Sequence, residues 1–286
     1  MRLLSYDDGR VGYLADDRVV DLGDLVGGYH RPGGLSAMRR LLGQWAGPGN
    51  ALPPASEANS VPLSSVRLGP PVPDPTKIVA APVNYRDHKS EMSVTVDISD
   101  LAVFLKAPSS LIGHGDAIRL PYSDRRFDQE GELAAVIGRR ARNVAPERAL
   151  DHVVGYTGLL DITMRGGEDR STRKSFDTFT PLGPWLVTSD ETGPPDDIDL
   201  DCTVGGEHRQ SSNTKNLIWG VARLVAYVSS VMTLEVGDII ATGTPAGVGP
   251  LAAGQEVSLT LSRIGTLTVG VTADNPGPSP TGTRNR

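Results

Sequence analysis

The chain has almost no cysteine: Cys202 stands alone among 286 residues. No internal disulfide is possible, and a reducing cytoplasm is the expected setting. Cys202 lies in the strand-like run Leu200-Asp201-Cys202-Thr203-Val204 and reads as a structural residue, not a nucleophile. Positive charge is also short. Lys and Arg total 28 against 34 Asp and Glu, a net charge of −6. Nucleic acid is thereby disfavoured as a partner, because phosphate binding needs a basic surface. No apolar run is long enough to cross a membrane, and the N-terminus lacks the apolar core of a signal peptide. There is no internal repeat. What is present is a globular balance of 38% hydrophobic and 22% charged residues, in a length that allows one large domain or two.

The most informative run is Phe127-Asp128-Gln129-Glu130-Gly131-Glu132-Leu133-Ala134-Ala135-Val136-Ile137-Gly138. From Leu133 it reads as a buried strand. Side chains two apart on a strand share a face, so Glu130 and Glu132 lie side by side. Like charges held that close repel unless neutralised. A hard divalent cation would do so, since Mg²⁺, Mn²⁺ and Ca²⁺ prefer carboxylate oxygens. A third acid, Asp161, ends the apolar run Gly155-Tyr156-Thr157-Gly158-Leu159-Leu160 and needs a partner if buried. Three carboxylates from two strands would form a metal site with open positions for a ligand.

Residues 1–70 look like a small N-terminal unit. Arg2–Tyr6 and Val11–Leu14 flank Asp7-Asp8-Gly9-Arg10, a hairpin signal. Val19–Leu22 suggests a third strand and Ser36–Trp45 a helix, before breaks at Gly47-Pro48-Gly49 and Leu52-Pro53-Pro54. Pro70–Pro75 reads as a stiff linker. Residues 71–273 form the main body, with recurrent β-branched runs that predict a mainly β fold. One helix is predicted from Leu217 to Met232, capped by Asn216. The stretch 274–286 is polar and rich in Pro and Gly, and a disordered tail is expected.

Over about 77–271 the chain resembles the fumarylacetoacetate hydrolase family. The resemblance is carried, in order, by Lys77-Ile78-Val79, Asn84-Tyr85-Arg86-Asp87-His88 with Glu91, and Phe104-Leu105-Lys106-Ala107-Pro108-Ser109-Ser110. It continues through the Glu-x-Glu strand, Asp161 and Lys174-Ser175-Phe176-Asp177-Thr178-Phe179. Met232-Thr233-Leu234-Glu235 and Thr242-Gly243-Thr244-Pro245-Ala246-Gly247 complete it. It implies an α+β, mainly β fold, a mixed β-sandwich roll with a small N-terminal domain. It also implies a divalent ion (Mg²⁺, or Mn²⁺ or Ca²⁺) on Glu130, Glu132 and Asp161, and a homodimer. The implied activity is hydrolysis of a carbon–carbon bond in a 2,4-dioxo acid through a metal-bound enolate. Decarboxylation or enol–keto isomerisation of a 2-oxo acid is the alternative, and a catalytically inactive binding protein on the same fold is a further one.

His88 and Glu91, three apart, share one helical face and can hydrogen-bond; the resemblance makes them the water-activating dyad. It makes Lys174 a lysine that faces the metal, where a fixed cation stabilises a developing oxyanion. Lys106 is read as a ligand of substrate or of an internal acid, Arg165 as a clamp on a substrate carboxylate, and Tyr85 as substrate-binding. Gly243 and Thr244 are read as a backbone carboxylate anchor. Residues 89–101 suggest a lid. His30, His114, His152 and His208 have no matching role. The chain departs from the family at Leu160 and at Gly166-Gly167-Glu168. Placed beside Asp161, these residues are expected to wall the pocket, disfavour simple dicarboxylates and suit a longer apolar acyl tail.

Overall fold

A computed structural model of the chain describes residues 1–29, 34–44, 56, 59–91 and 95–281. The first hairpin joins β1 (Arg2–Tyr6) to β2 (Arg10–Ala15). Asp7, Asp8 and Gly9 all take positive φ at the turn; aspartate and glycine are the residues that tolerate it. The strands β3 (Arg18–Asp21) and β4 (Ser60–Pro62) extend the sheet outward. On its other side β1 pairs antiparallel with β13 (Thr180–Thr188), Leu3 opposite Leu186. The N-terminal strands are therefore hydrogen-bonded into the sheet of the main body.

That sheet has eleven strands in the order β4-β3-β2-β1-β13-β11-β10-β16-β5-β6, with β7 (Leu111–Ile112) attached to β13. Its centre is β10 (Gly131–Ile137), between β11 (Val153–Leu160) and β16 (Ile239–Ala241). The edge beyond is β5 (Ile78–Ala80) and β6 (Phe104–Lys106). Every residue of β10 is buried, as a continuous apolar run covered on both faces requires. A five-stranded sheet stacks against it: β15 (Glu207–Asn213), β14 (Asp199–Val204), β18 (Glu256–Leu261), β19 (Gly265–Thr272) and β8 (Ala117–Arg119). The main core lies between them and includes Leu133, Ala135, Leu160, Leu200, Cys202 and Leu259. A three-stranded sheet of β12 (Thr163–Met164), β9 (Phe127–Gln129) and β17 (Gly249–Pro250) closes one end. The strand expected from Leu133 begins at Gly131, and Glu130 sits at the break between β9 and β10. Gly131 makes the close approach there: a Cβ would lie 2.8 Å from Leu259.

The helices are α1 (Ala37–Gln44), α2 (Arg86–Glu91), α3 (Ile98–Leu101), α5 (Arg170–Arg173) and α7 (Val221–Val231), with α4 (Pro146–Ala149) and α6 (Ser189–Thr192) as further single turns. The helix expected from Leu217 starts at Val221, with Gly220 and not Asn216 at its cap. The preceding residues are engaged elsewhere. Leu217 bridges to Tyr85, and Asn84 accepts from the Ile218 and Trp219 N–H groups. Of the stretch expected to be disordered, residues 274–281 are described; most are exposed, and some are tied to the main body. Gly277 bridges to Tyr122, and the Ser279 N–H donates to Asp124 at 2.7 Å. Residues 282–286, the Gly47-Pro48-Gly49 and Leu52-Pro53-Pro54 breaks, Trp45 and His30 lie outside the described residues. Among the described residues no helix is long and apolar enough to cross a membrane.

Candidate metal and active site

The three acids converge where β10 begins and β11 ends. Glu132 stands opposite Leu159 in the ladder, and the Asp161 N–H donates to the Glu130 carbonyl at 2.8 Å. One carboxylate oxygen from each of Glu130, Glu132 and Asp161 lies within 4.8 Å of the others, and all three residues are buried. Lysines and arginines surround them. Lys174 Nζ is 2.8 Å from Glu130 and 2.6 Å from Asp161, and it also donates to Thr163 Oγ1. Lys106, fully buried on β6, donates to Asp161 Oδ1 at 2.5 Å and to the Phe179 carbonyl. Lys106 therefore serves an internal acid. Arg165 donates to Asp128 at 2.6 Å and to Glu130 at 3.2 Å.

Glu132 differs from its neighbours. It accepts only the Gly243 N–H, at 2.8 Å, and its Oε1 has no hydrogen-bond partner among the described residues. Burial, then the charge of Asp161, pushes its carboxyl well above the ordinary range. Burial alone would raise Glu130 too, but Lys174 and Arg165 hold it below that range. Burial would lower Lys174, but Asp161 and Glu130 outweigh it and keep the ammonium charged. A buried acid lacking a cation, beside two others, is a donor set that fits a hard divalent ion.

His88, on α2, is buried, and its Nδ1 lies 3.1 Å from Glu91 Oε2. A carboxylate only accepts, so Nδ1 carries the proton and Nε2 is left as the basic atom. The other oxygen of Glu91 accepts the Gly247 N–H at 2.9 Å, which ties the dyad to the loop that follows β16. Asn84 ties the start of α2 to the same loop, donating to the Thr242 carbonyl at 2.8 Å and to Trp219.

These groups face one cavity of about 120 Å³. His88, Glu130, Glu132, Asp161, Arg165, Lys174 and Thr244 line it, as do Arg170 and Arg173 of α5. Its apolar wall is Ala81, Pro82, Val83, Val96, Leu101 and Phe104. Val96 and Leu101 belong to the expected lid, of which residues 92–94 lie outside the described residues. A larger cleft of about 790 Å³ opens near Gly138, Arg139 and His152. It lies at the far end of β10, roughly 20 Å along the strand from the acids, and among the described residues it holds no such cluster.

Several expected roles differ in the structure. Leu160 is wholly in the core and does not line the cavity. Consecutive side chains on an extended chain point to opposite faces, so a cavity-facing Asp161 turns Leu160 away. Gly166, Gly167 and Glu168 do not line it either; Glu168 pairs with Arg125 at 2.5 Å and with Thr281. The premise that dicarboxylates are disfavoured is thereby removed. The Gly243 N–H is spent on Glu132, and the Thr244 hydroxyl donates to the Gly131 carbonyl and accepts from Gln210. Neither of these two atoms is a free anchor; the Thr244 backbone N–H, the other atom of the expected anchor, has no hydrogen-bond partner among the described residues. Gly243 has φ +92°, and a Cβ there would lie 2.9 Å from Asn84, so only glycine brings this N–H to Glu132. Tyr85 does not line the cavity; its hydroxyl is buried without a partner among the described residues, and burial and Glu132 raise its pKa. Arg165 is held by acids of the protein, although it still reaches the cavity.

Sequence reasoning missed Asp128, Thr163, Gln210, Arg170 and Arg173. Asp128 had a signal, because Asp128, Glu130 and Glu132 alternate along the chain. Gln210 had none: it crosses from the second sheet to hold the Gly131 N–H at 2.9 Å.

Residues 77–272 match the fumarylacetoacetate (FAA) hydrolase C-terminal family. The chain is 40% identical to maleylpyruvate hydrolase of Aquipseudomonas alcaligenes over 287 residues, covering 95% of this chain and 99% of that one. It is 40% identical to oxaloacetate tautomerase of Bacillus subtilis over 247 residues, covering 81% and 80%. The crystal structure of maleylpyruvate hydrolase from Sphingobium sp. SYK-6, in complex with manganese(II) and pyruvate, superposes with a TM-score of 0.82. That pair is 37% identical, covering 96% of this chain and all of the other. The chain belongs to the fumarylacetoacetate hydrolase family.

Proposed function

We propose that the protein is a divalent-metal-dependent hydrolase that cleaves the C3–C4 bond of a 2,4-dioxo acid of the acylpyruvate type. The observation that carries this is the His88–Glu91 dyad opening into the cavity that holds the acid triad. Glu130, Glu132 and Asp161 would hold Mg²⁺, Mn²⁺ or Ca²⁺. Such an ion supplies a Lewis acid for the oxygens of a 2-oxo acid. His88 Nε2 takes a proton from water while Glu91 holds the ring in place. The water oxygen bonds to C4, the C3–C4 bond breaks, and the bonding pair passes to C3. A proton added at C3 completes pyruvate, and the acyl part leaves as a carboxylic acid. Lys174 keeps a fixed positive charge beside the triad throughout. The manganese and pyruvate in the Sphingobium enzyme support this reading. The Bacillus tautomerase supports a second one, enol–keto isomerisation, which needs no activated water.

The test is incubation with acylpyruvates and Mg²⁺ or Mn²⁺, following pyruvate release. His88→Ala should lower kcat by roughly 10²–10⁴ with a much smaller change in KM. Glu132→Ala should abolish turnover while circular dichroism and Tm report a folded protein. Near-wild-type turnover by His88→Ala would favour the second reading. Full turnover by EDTA-treated protein would remove the metal from the chemistry.

A further inference from the structure

We infer that Arg173 and Arg170 form a second carboxylate subsite, which selects 2,4-dioxo acids carrying another carboxylate at the end of the acyl chain. The inference rests on the hydrolase reading for its substrate and on separate residues for its content. Four cationic side chains line the cavity: Arg165, Arg170, Arg173 and Lys174. Two of them are accounted for. Lys174 spends its donors on Glu130, Asp161 and Thr163, and Arg165 is held by Asp128 and Glu130. The guanidinium groups of Arg170 and Arg173 have no hydrogen-bond or ion-pair partner among the described residues. Arg173 Nε is fully buried and unpaired.

A buried donor without an acceptor is rare, and an acceptor brought in by a ligand would satisfy it. The geometry of a guanidinium matches a carboxylate, which it can bind through two parallel hydrogen bonds. Arg170 and Arg173 are three apart on α5 and so share a face. The helix is fixed at its start by Asp169, which accepts the Ser171 N–H at 2.8 Å, and runs directly into Lys174. The subsite is thus held one residue from the lysine that touches the triad. The apolar side chains of Val83, Val96, Leu101 and Phe104 suit the carbon chain of such a substrate. A substrate with a plain alkyl tail would leave both guanidiniums unpaired.

The experiment has two arms. In the first, kcat/KM is measured for maleylpyruvate and for acetylpyruvate with wild type, Arg173→Met, Arg173→Lys and Arg170→Met. The wild type should prefer the diacid, and Arg173→Met should reduce the diacid-to-monoacid ratio by roughly 10- to 100-fold. Arg173→Lys, which keeps the charge and loses the fork, should fall between. In the second arm, calorimetry measures binding of maleate with and without EDTA. Arg173→Met should weaken it about tenfold or more in both conditions. An equal loss for both substrates, or maleate binding indifferent to Arg173, would overturn the subsite. Turnover of both substrates without preference would overturn it too, and would leave the hydrolase reading standing. Failure of wild type to cleave either substrate, with maleate binding still dependent on Arg173, would sink the hydrolase reading and support the subsite.

Discussion

At the scale of single residues, burial decides which groups do chemistry. Cys202 is fully buried on β14, and burial pushes its thiol up to about 12. The reactive species is the thiolate, so native protein at pH 8 should resist iodoacetamide and react at Cys202 only in denaturant. Fast labelling of the folded protein would contradict this placement. The same principle made the acids legible. Glutamates two apart at the head of an apolar strand, and an aspartate ending another, cannot be buried without cations nearby. The prediction from Leu160 failed because sequence proximity to Asp161 carries no direction. Adjacent side chains diverge, and Leu160 went to the core.

At the scale of elements, the site depends on the parallel pair β5–β16, in which Ile239 stands opposite Ile78. This pair sends both α2 and the Thr242–Gly247 loop from the same end of the sheet. Asp238 ties its other end. Fully buried, it accepts from the Thr76 N–H at 3.0 Å, the Thr76 hydroxyl at 2.6 Å, the Lys77 N–H at 3.1 Å and the Glu235 N–H at 2.7 Å. It also pairs with Lys77 Nζ at 2.5 Å. Asp238→Ala strands those donors and should cost about 3–5 kcal/mol, read as a lower urea midpoint at unchanged m. A loss under ~1 kcal/mol would show that the strand pair holds without it. The strands and the first hairpin were legible because their period and turn residues are local. The start of α7 was not, because Leu217–Trp219 pair with Asn84–Tyr85, more than 130 residues away along the chain.

At the scale of the whole molecule, the N-terminal strands share both sheet and core with the rest. Leu3, Val11, Leu22, Met38, Leu41 and Leu42 pack in one cluster with Val136 of β10 and Leu186 of β13. A chain beginning at residue 71 would expose this apolar face and the edge of β13. Such open edges template aggregation. The truncated protein should be insoluble, or should unfold at a clearly lower temperature than the full chain. A soluble fragment with full-length Tm would mean that residues 1–70 are an independent unit.

The sequence by itself determined the mainly β class and, through its resemblance, the family, and it offered Glu130, Glu132, Asp161, His88, Glu91 and Lys174 as candidate site residues. The class and the three acids follow from spacing within short segments and from the chemistry that buried charges demand, whereas the roles of His88, Glu91 and Lys174 follow from the resemblance. Tertiary structure decided which cations answer which acids. Lys106 goes to Asp161, Arg165 to Asp128 and Glu130, and Gly243 to Glu132. It also left Arg170 and Arg173 facing the cavity without partners among the described residues. Hydrogen-bond partnership depends on positions within about 3 Å, and residues dozens of positions apart reach that range only when strands from distant segments are placed side by side.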